Sequence, residues 1–326
     1  MQYRYKKNEK KNGRRLSALF LGALLTISVL TGCGGDSGAA ADENNPGGED
    51  GVFTIAYAPN ESNTEAADAR QGLAEELQEV LGCEVEEIQA SDYNAIIEAL
   101  RTGNADMAYM GSQALALGVE RTDLEPIVMK AEEGDPERAI YHSVLIARAD
   151  NDEINSIEDI QGKTMAFVDP DSTSGNLVPT AEIIQAFPDE NLNSDMLHTS
   201  GDFFEAISFS GSHQAGLQAV IKGDVDVAPI SDQILASEIA NGAAAEGDVK
   251  IIHESGAIPA ECMVVAEHVS DEVRQTLTDF LTSYDNEQYF TDVIKVPGAR
   301  FIECDMSDYE DIIELNKIIN EFYAQH

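Results

Sequence analysis

Residues 168–182 read VDPDSTSGNLVPTAE, and residues 209–223 read FSGSHQAGLQAVIKG. In the first stretch Ser172, Thr173, Ser174 and Gly175 fall between an expected strand end and an expected helix start. Backbone N–H groups at a helix N-terminus carry partial positive charge, and hydroxyls add donors without adding charge, so such a turn can hold an anion. No Lys or Arg lies within 168–182. Capture there would rest on neutral donors. The same residue types also serve as ordinary helix caps. In the second stretch Ser210, Gly211, Ser212 and His213 open another expected helix, and a ring N–H of His213 can reach an oxygen, with its pKa rising beside a bound anion.

Further candidates follow other expected strands. Asp232, just after DVDVAPI, can accept a hydrogen bond from a protonated oxyanion or a ligand amine, or can simply cap the next helix. Tyr93 near a helix start, Tyr109 with Ser112 at a strand end, and Tyr141 at the start of YHSVLIARAD complete the set. Neither G-x-S-x-G nor H-E-x-x-H occurs, and no clustered metal ligands are visible, so no catalytic residue, metal or cofactor is expected. An exported phosphatase or esterase using Ser172, Ser174 or Ser212 is the enzymatic alternative, and it lacks an obvious base unless His213 lies close.

The elements that must position these residues alternate. VFTIAYAP reads as a strand and 66–81 as a helix with Leu73, Leu77 and Leu81 on one face. CEVEEIQA is a second strand, SDYNAIIEALRTG a helix capped by Ser91 and Asp92, and ADMAYM a third strand. From 141 the alternation resumes through KTMAFVD, LVPTAEIIQAF, a helix over 215–221, DVDVAPI and a helix over 232–240. After ECMVVAEHV the chain is read as helical over 271–284 and 308–322. This pattern predicts an α/β protein with mainly parallel sheets flanked by helices. Two segments, 141–150 and 259–269, read as crossings. The expected organisation is therefore a first lobe of residues 52–142 plus 263–326, a second, inserted lobe of 143–262, and a cleft between them at the strand ends.

Seven basic residues crowd into the first fifteen positions and precede LSALFLGALLTISVL and then LTGC. A positive start, a fifteen-residue apolar run and small residues describe an export signal rather than a span, which needs about 20 apolar residues. LTGC resembles the lipobox of bacterial lipoproteins, which implies a signal peptide over 1–32 and a lipidated Cys33. The protein is then expected outside the cell, held by lipid to the outer face of the cytoplasmic membrane, with 33–51 as a flexible tether. Removing the seven bases and Glu9 leaves 13 Lys+Arg against 59 Asp+Glu, a charge of −46. Nucleic acid and anionic lipid headgroups are repelled by such a surface, and an anionic ligand must be caught by local geometry. Cys83, Cys262 and Cys304 match no metal spacing. A Cys83–Cys304 disulfide and three free thiols are both open.

DPDSTSGNLVP, FSGSHQAGLQAVIKGDVDVAPISD, DYNAIIEALRTGNADMAYMG and YHSVLIAR together resemble the phosphate/phosphite/phosphonate-binding proteins that serve ABC transporters. The resemblance covers about residues 52–290 and is most specific in the paired STSG and SGSH segments. It implies a two-lobe periplasmic-binding-protein fold that closes on its ligand, a monomer, and an ABC permease as partner. Carried over by position, Ser172, Thr173 and Ser174 would hold phosphorus-bound oxygens, with His213 and Tyr93 helping, and Asp232 would face the P–OH or the substituent. Many relatives have G-P-x-S-Y after the third strand where this chain has Gly111, Ser112, Gln113, Ala114 and Leu115. At the second crossing Pro259, Ala260, Glu261, Cys262 and Met263 replace the common P-N-S/D-P. A receptor or sensor for another small anion on the same fold is the alternative.

Overall fold

The computed structural model describes residues 51–59 and 66–324. The signal segment, Cys33 and all of the tether except Gly51 lie outside the described residues. Among the described residues no helix is long and apolar enough to cross a membrane.

The first unit is built by β1 (Val52–Tyr57), α1 (Ala67–Leu81), β2 (Glu84–Gln89), α2 (Tyr93–Arg101), β3 (Met107–Met110), α3 (Ser112–Val119) and β4 (Leu124–Ala131). In α1 the i, i+4 pair Leu73 and Leu77 is fully buried, and Gly82 ends the helix at φ 73°, a left-handed conformation that suits glycine. Asp92 caps α2 by accepting from the Ala95 amide at 2.8 Å. After β4 the chain passes through β5 (Ile140–Tyr141) into β6 (Ser143–Arg148) and β7 (Thr164–Phe167). A π-helical turn over Thr173–Leu177 leads into α4 (Val178–Ala186). Next come α5 (Ser194–Leu197), β8 (Ala206–Phe209), α6 (His213–Lys222), β9 (Val227–Ser231), α7 (Asp232–Ala240) and β10 (Val249–Glu254). The return runs through β11 (Ile258–Pro259) into β12 (Cys262–Ala266), followed by α8 (Asp271–Ser283), α9 (Glu287–Asp292), β13 (Arg300–Glu303) and α10 (Glu310–Ala324).

Two main sheets result, ordered β13-β4-β12-β3-β1-β2 and β10-β6-β9-β7-β8. Between them β5 and β11 pair antiparallel, Tyr141 opposite Ile258. The sheets are mixed where the alternation predicted mainly parallel strands. Only β3-β1-β2 and β9-β7-β8 run parallel; β12 is antiparallel to both β3 and β4, and β6 to both β9 and β10. The physical reason lies in the crossings. β6 and β12 continue directly from the connecting strands and enter each sheet against its direction, and no crossover helix precedes them.

Helices cover both faces of each sheet. Phe53, Ile55, Leu73, Leu277 and Phe290 pack one face of the six-stranded sheet, and Ile96, Ile97, Leu115, Ala108 and Val264 the other. The five-stranded sheet has Met165, Phe167, Ile183 and Leu197 on one side and Ile146, Leu217 and Ile230 on the other. The last helix is shared. Ile312 and Ile319 of α10 join Tyr141, Leu177, Val178, Ala181 and Ile258 in a cluster that binds the connecting strands and α4. Tyr309, at its start, donates to the Ala260 carbonyl at 3.0 Å.

Cys83 and Cys304 flank β2 and β13, the two opposite edges of the six-stranded sheet. Five strand spacings separate those edges, roughly 24 Å, far beyond the reach of a disulfide. All three described cysteines are free.

Candidate functional site

Four chain segments reach the junction of the two sheets with a helical N-terminus. Tyr93 is the first residue of α2, and Gly111 is the N-cap of α3. Ser172 caps the 173–177 turn, and His213 is the first residue of α6. These termini ring a cavity of about 20 Å³, room for a water-sized body. Its lining includes Tyr93, Tyr109, Tyr141, Ser172, Thr173, Ser174 and His213, together with Gly111 and Glu261, and carries no Lys or Arg. Helix N-termini thus supply the positive potential.

The serine-rich turn is held by its own backbone. Ser172 Oγ accepts from the Gly175 amide at 3.1 Å, which leaves its proton free to donate. Gly175 is required by space, since a Cβ there would lie 2.4 Å from Val168 Cβ and 2.7 Å from Ser172 Oγ. Ser143 Oγ donates to the Ser174 carbonyl at 2.6 Å. Burial pushes the Tyr141 pKa well up, so its hydroxyl stays a neutral phenol beside Thr173 and Ser174 in the lining.

His213 is oriented from behind. The Ser231 amide donates to His213 Nδ1 at 3.1 Å, so that nitrogen is the acceptor and Nε2 carries the proton. Burial pushes its pKa down to about 4. The ring is a neutral N–H donor.

The two lobes touch around this cavity. The Gln113 amide donates to Thr173 Oγ1 at 2.9 Å, and Gln113 Nε2 to the Pro170 carbonyl at 3.0 Å. The Asp169 carboxylate faces the start of α2, where the Tyr93 amide favours its charged form.

Two expected residues lie outside the lining. The Asp232 carboxylate accepts the His142 amide at 3.0 Å and sits 3.3 Å from His142 Nδ1, so it braces the entry to β6. Ser112 Oγ donates to the Pro259 carbonyl at 3.0 Å and ties α3 to β11. In their place the lining contains Glu261, whose carboxylate is 2.6 Å from Lys130 Nζ in a largely buried pair. That ammonium also lies 5.5 Å from the centre of the Tyr141 ring. The sequence carried one signal for Glu261, its departure from the family pattern at the crossing, and none for Lys130.

Comparison with known proteins shows the family and the fold. A family model described as ABC transporter, phosphonate, periplasmic substrate-binding protein matches residues 55–309. The phosphate-import protein PhnD of Mycolicibacterium smegmatis is 31% identical over 245 residues, 73% of this chain and 74% of that one. A binding-protein component of an ABC phosphonate transporter from Pseudomonas aeruginosa superposes with a TM-score of 0.70 at 24% identity, covering 82% of this chain and 86% of that one. PhnD1 of Prochlorococcus marinus, solved with methylphosphonate, gives 0.68 at 20% identity over 82% of this chain and 98% of that one. The two structures share the fold, and with the family match over most of the sequence the chain belongs to the periplasmic substrate-binding proteins of phosphonate ABC transporters.

Proposed function

We propose that this substrate-binding protein captures a phosphorus oxyanion, a phosphonate, phosphite or phosphate, in the cavity between its lobes and delivers it to an ABC permease without making or breaking a bond. The observation that carries this reading is the convergence of four helical N-termini on a lining with no Lys or Arg. An anion held by neutral donors is paired with no counter-charge and can be released when those donors separate.

In this reading Ser172, Thr173 and Ser174 donate to the phosphorus-bound oxygens, His213 adds its Nε2–H, and Tyr93, Tyr109 and Tyr141 close the sides. Glu261 takes the part expected of Asp232 and accepts the hydrogen of a P–OH or faces a ligand amine. Residues 143–262 move as one lobe about β5 and β11, and the small cavity widens as they part to admit the ligand. Cys33 carries a lipid that keeps the protein, as a monomer, at the outer face of the cytoplasmic membrane.

Calorimetric titration of the protein, refolded to strip carried-over ligand, with phosphate, phosphite, methylphosphonate, 2-aminoethylphosphonate and sulfate tests the reading. Tight binding of a phosphorus oxyanion with none of sulfate is expected. Equal binding of sulfate would make the protein a receptor for small anions in general, and heat from none of them would remove the cavity from consideration as an oxyanion site.

A further inference from the structure

A second, larger crevice of about 190 Å³ shares the 170–177 segment with the cavity but none of its lining residues. Its walls come from α3, from that segment with α4 and α5, and from α10. The side-chain amides of Gln113 and Asn176 both donate to one acceptor, the Pro170 carbonyl, at 3.0 and 2.7 Å. That shared partner settles which end of each amide is nitrogen. Gln113 Oε1 and Asn176 Oδ1 are consequently left as acceptors with no hydrogen-bond partner among the described residues, and Thr180 Oγ1 has none there either. The three residues are only 5%, 6% and 1% exposed, so bulk water does not satisfy them.

The remaining lining decides what kind of group fits. Leu117, Leu177 and Ile319 are aliphatic, and Asp171 brings a carboxyl whose pKa is pushed up to about 6 by burial and then by Asp169. His198 is held neutral, its pKa pushed down to about 4 by burial, and no Lys or Arg lines the crevice. The lining therefore offers unpaired acceptors, one carboxyl and an apolar wall, with Ser194, His198 and Asn320 adding groups that can both donate and accept. An anion would meet repulsion here, and a purely apolar molecule would leave the acceptors unpaired.

We propose that this crevice binds a small primary alkylammonium ion, its three N–H groups donating to Gln113 Oε1, Asn176 Oδ1 and Thr180 Oγ1, its carbons resting on Leu117, Leu177 and Ile319, and Asp171 supplying counter-charge. Gln113 follows β3 of the six-stranded sheet, whereas Asn176 and Thr180 follow β7 of the other. The ion bridges the two lobes. It goes beyond oxyanion capture and does not depend on it.

The test is calorimetric titration of the purified protein with propylammonium chloride against tetramethylammonium chloride, at constant ionic strength. Tetramethylammonium carries the same charge and no N–H. A saturable one-to-one isotherm is expected with propylammonium alone, weakened about tenfold or more in Thr180→Val and restored in Thr180→Ser. Indistinguishable heats from the two cations, or an unchanged isotherm in Thr180→Val, would overturn the proposal and leave the crevice to water. If Thr180→Val does not fold, Asp171→Asn at the rim serves instead: weaker binding supports the site, and unaltered binding overturns it.

Discussion

The Gln113 amide donates to Thr173 Oγ1 at 2.9 Å, so the first turn of α3 in one lobe is bonded to the serine-rich turn of the other. The contact is tight on both sides, because a Cβ on Gly111 would lie only 3.0 Å from the same oxygen. An oxygen that accepts from one helix start keeps its own proton for a ligand. Under the proposed oxyanion reading, Thr173 both joins the two lobes and donates to the ligand.

Replacing Thr173 by Val removes the hydroxyl and keeps the shape. The loss of a hydrogen bond to a charged group, about 1.5–3 kcal/mol, predicts oxyanion binding weakened by a factor on the order of ten to a hundred, with Thr173→Ser near wild type. Calorimetry on the three proteins checks this. Equal affinities would reduce Thr173 to a contact between lobes.

Gly175→Ala is expected to damage both fold and site. Its Cβ would overlap Val168 Cβ and Cγ2, each at 2.4 Å, and Ser172 Oγ at 2.7 Å. Val168 is fully buried and the Val168 amide donates to the Gly175 carbonyl at 3.0 Å, so neither side can give cheaply. Overpacking of this kind costs about 1–3 kcal/mol. Urea unfolding should show that loss together with weakened binding, and a variant as stable as wild type would mean that the turn is looser than the contacts imply.

The parts of this architecture that were legible in the sequence are the locally determined ones. Caps and first-turn residues act within one helical turn, so Asp92, Ser172, Ser212 and the helices they open were readable from spacing. That four such starts meet at one cavity is a tertiary fact, and the resemblance rather than the spacing anticipated it. The antiparallel strands were largely hidden. In β4 Glu125 and Pro126 break the apolar run, and its partner β12 shifts register between Met263 and Val264 to accommodate it. Lys130 went unnoticed for the same reason, since nothing local distinguishes a lysine that will be buried against Glu261 from an exposed one. Asp232 and Glu261 illustrate the limit from the other side: both follow or precede a strand, and only the packing turns one toward His142 and the other toward the cavity.

Three free thiols are expected beyond Cys33. Cys83 and Cys304 lie at opposite sheet edges, and burial pushes the Cys262 thiol up to about 12 and the Cys304 thiol higher. Both are therefore poor nucleophiles in the folded protein. Thiol titration in denaturant should count these three whether or not the protein was first treated with reductant, and the melting temperature should not respond to reductant. A count that rises only after reduction would show a disulfide in place of these free thiols.

Acid sensitivity should trace in part to His213. Its folded pKa of about 4 lies below the unfolded value of about 6.5, so between those limits the unfolded chain binds the proton first and the native state loses stability as pH falls. At pH 5 the loss amounts to about 2 kcal/mol for this one ring. Asp171 acts in the opposite direction over part of the same window: its carboxyl, pushed up to about 6, costs stability while ionised and that cost is relieved as pH falls. The net slope of the wild type therefore mixes the two, and the informative quantity is the difference between wild type and His213→Gln, which keeps an N–H donor but does not titrate. Urea unfolding at pH 7 and pH 5 should show a smaller drop in the variant by about that amount, whereas parallel drops would mean that His213 is hydrated enough to protonate in the native state. His268 supplies a control of opposite sign. Its Nε2 is 2.6 Å from Asp106, a hydrogen bond that raises its pKa, so its contribution is present at low pH and lost as pH rises through the folded value. His268→Gln should accordingly cost stability at pH 5 and little at pH 9.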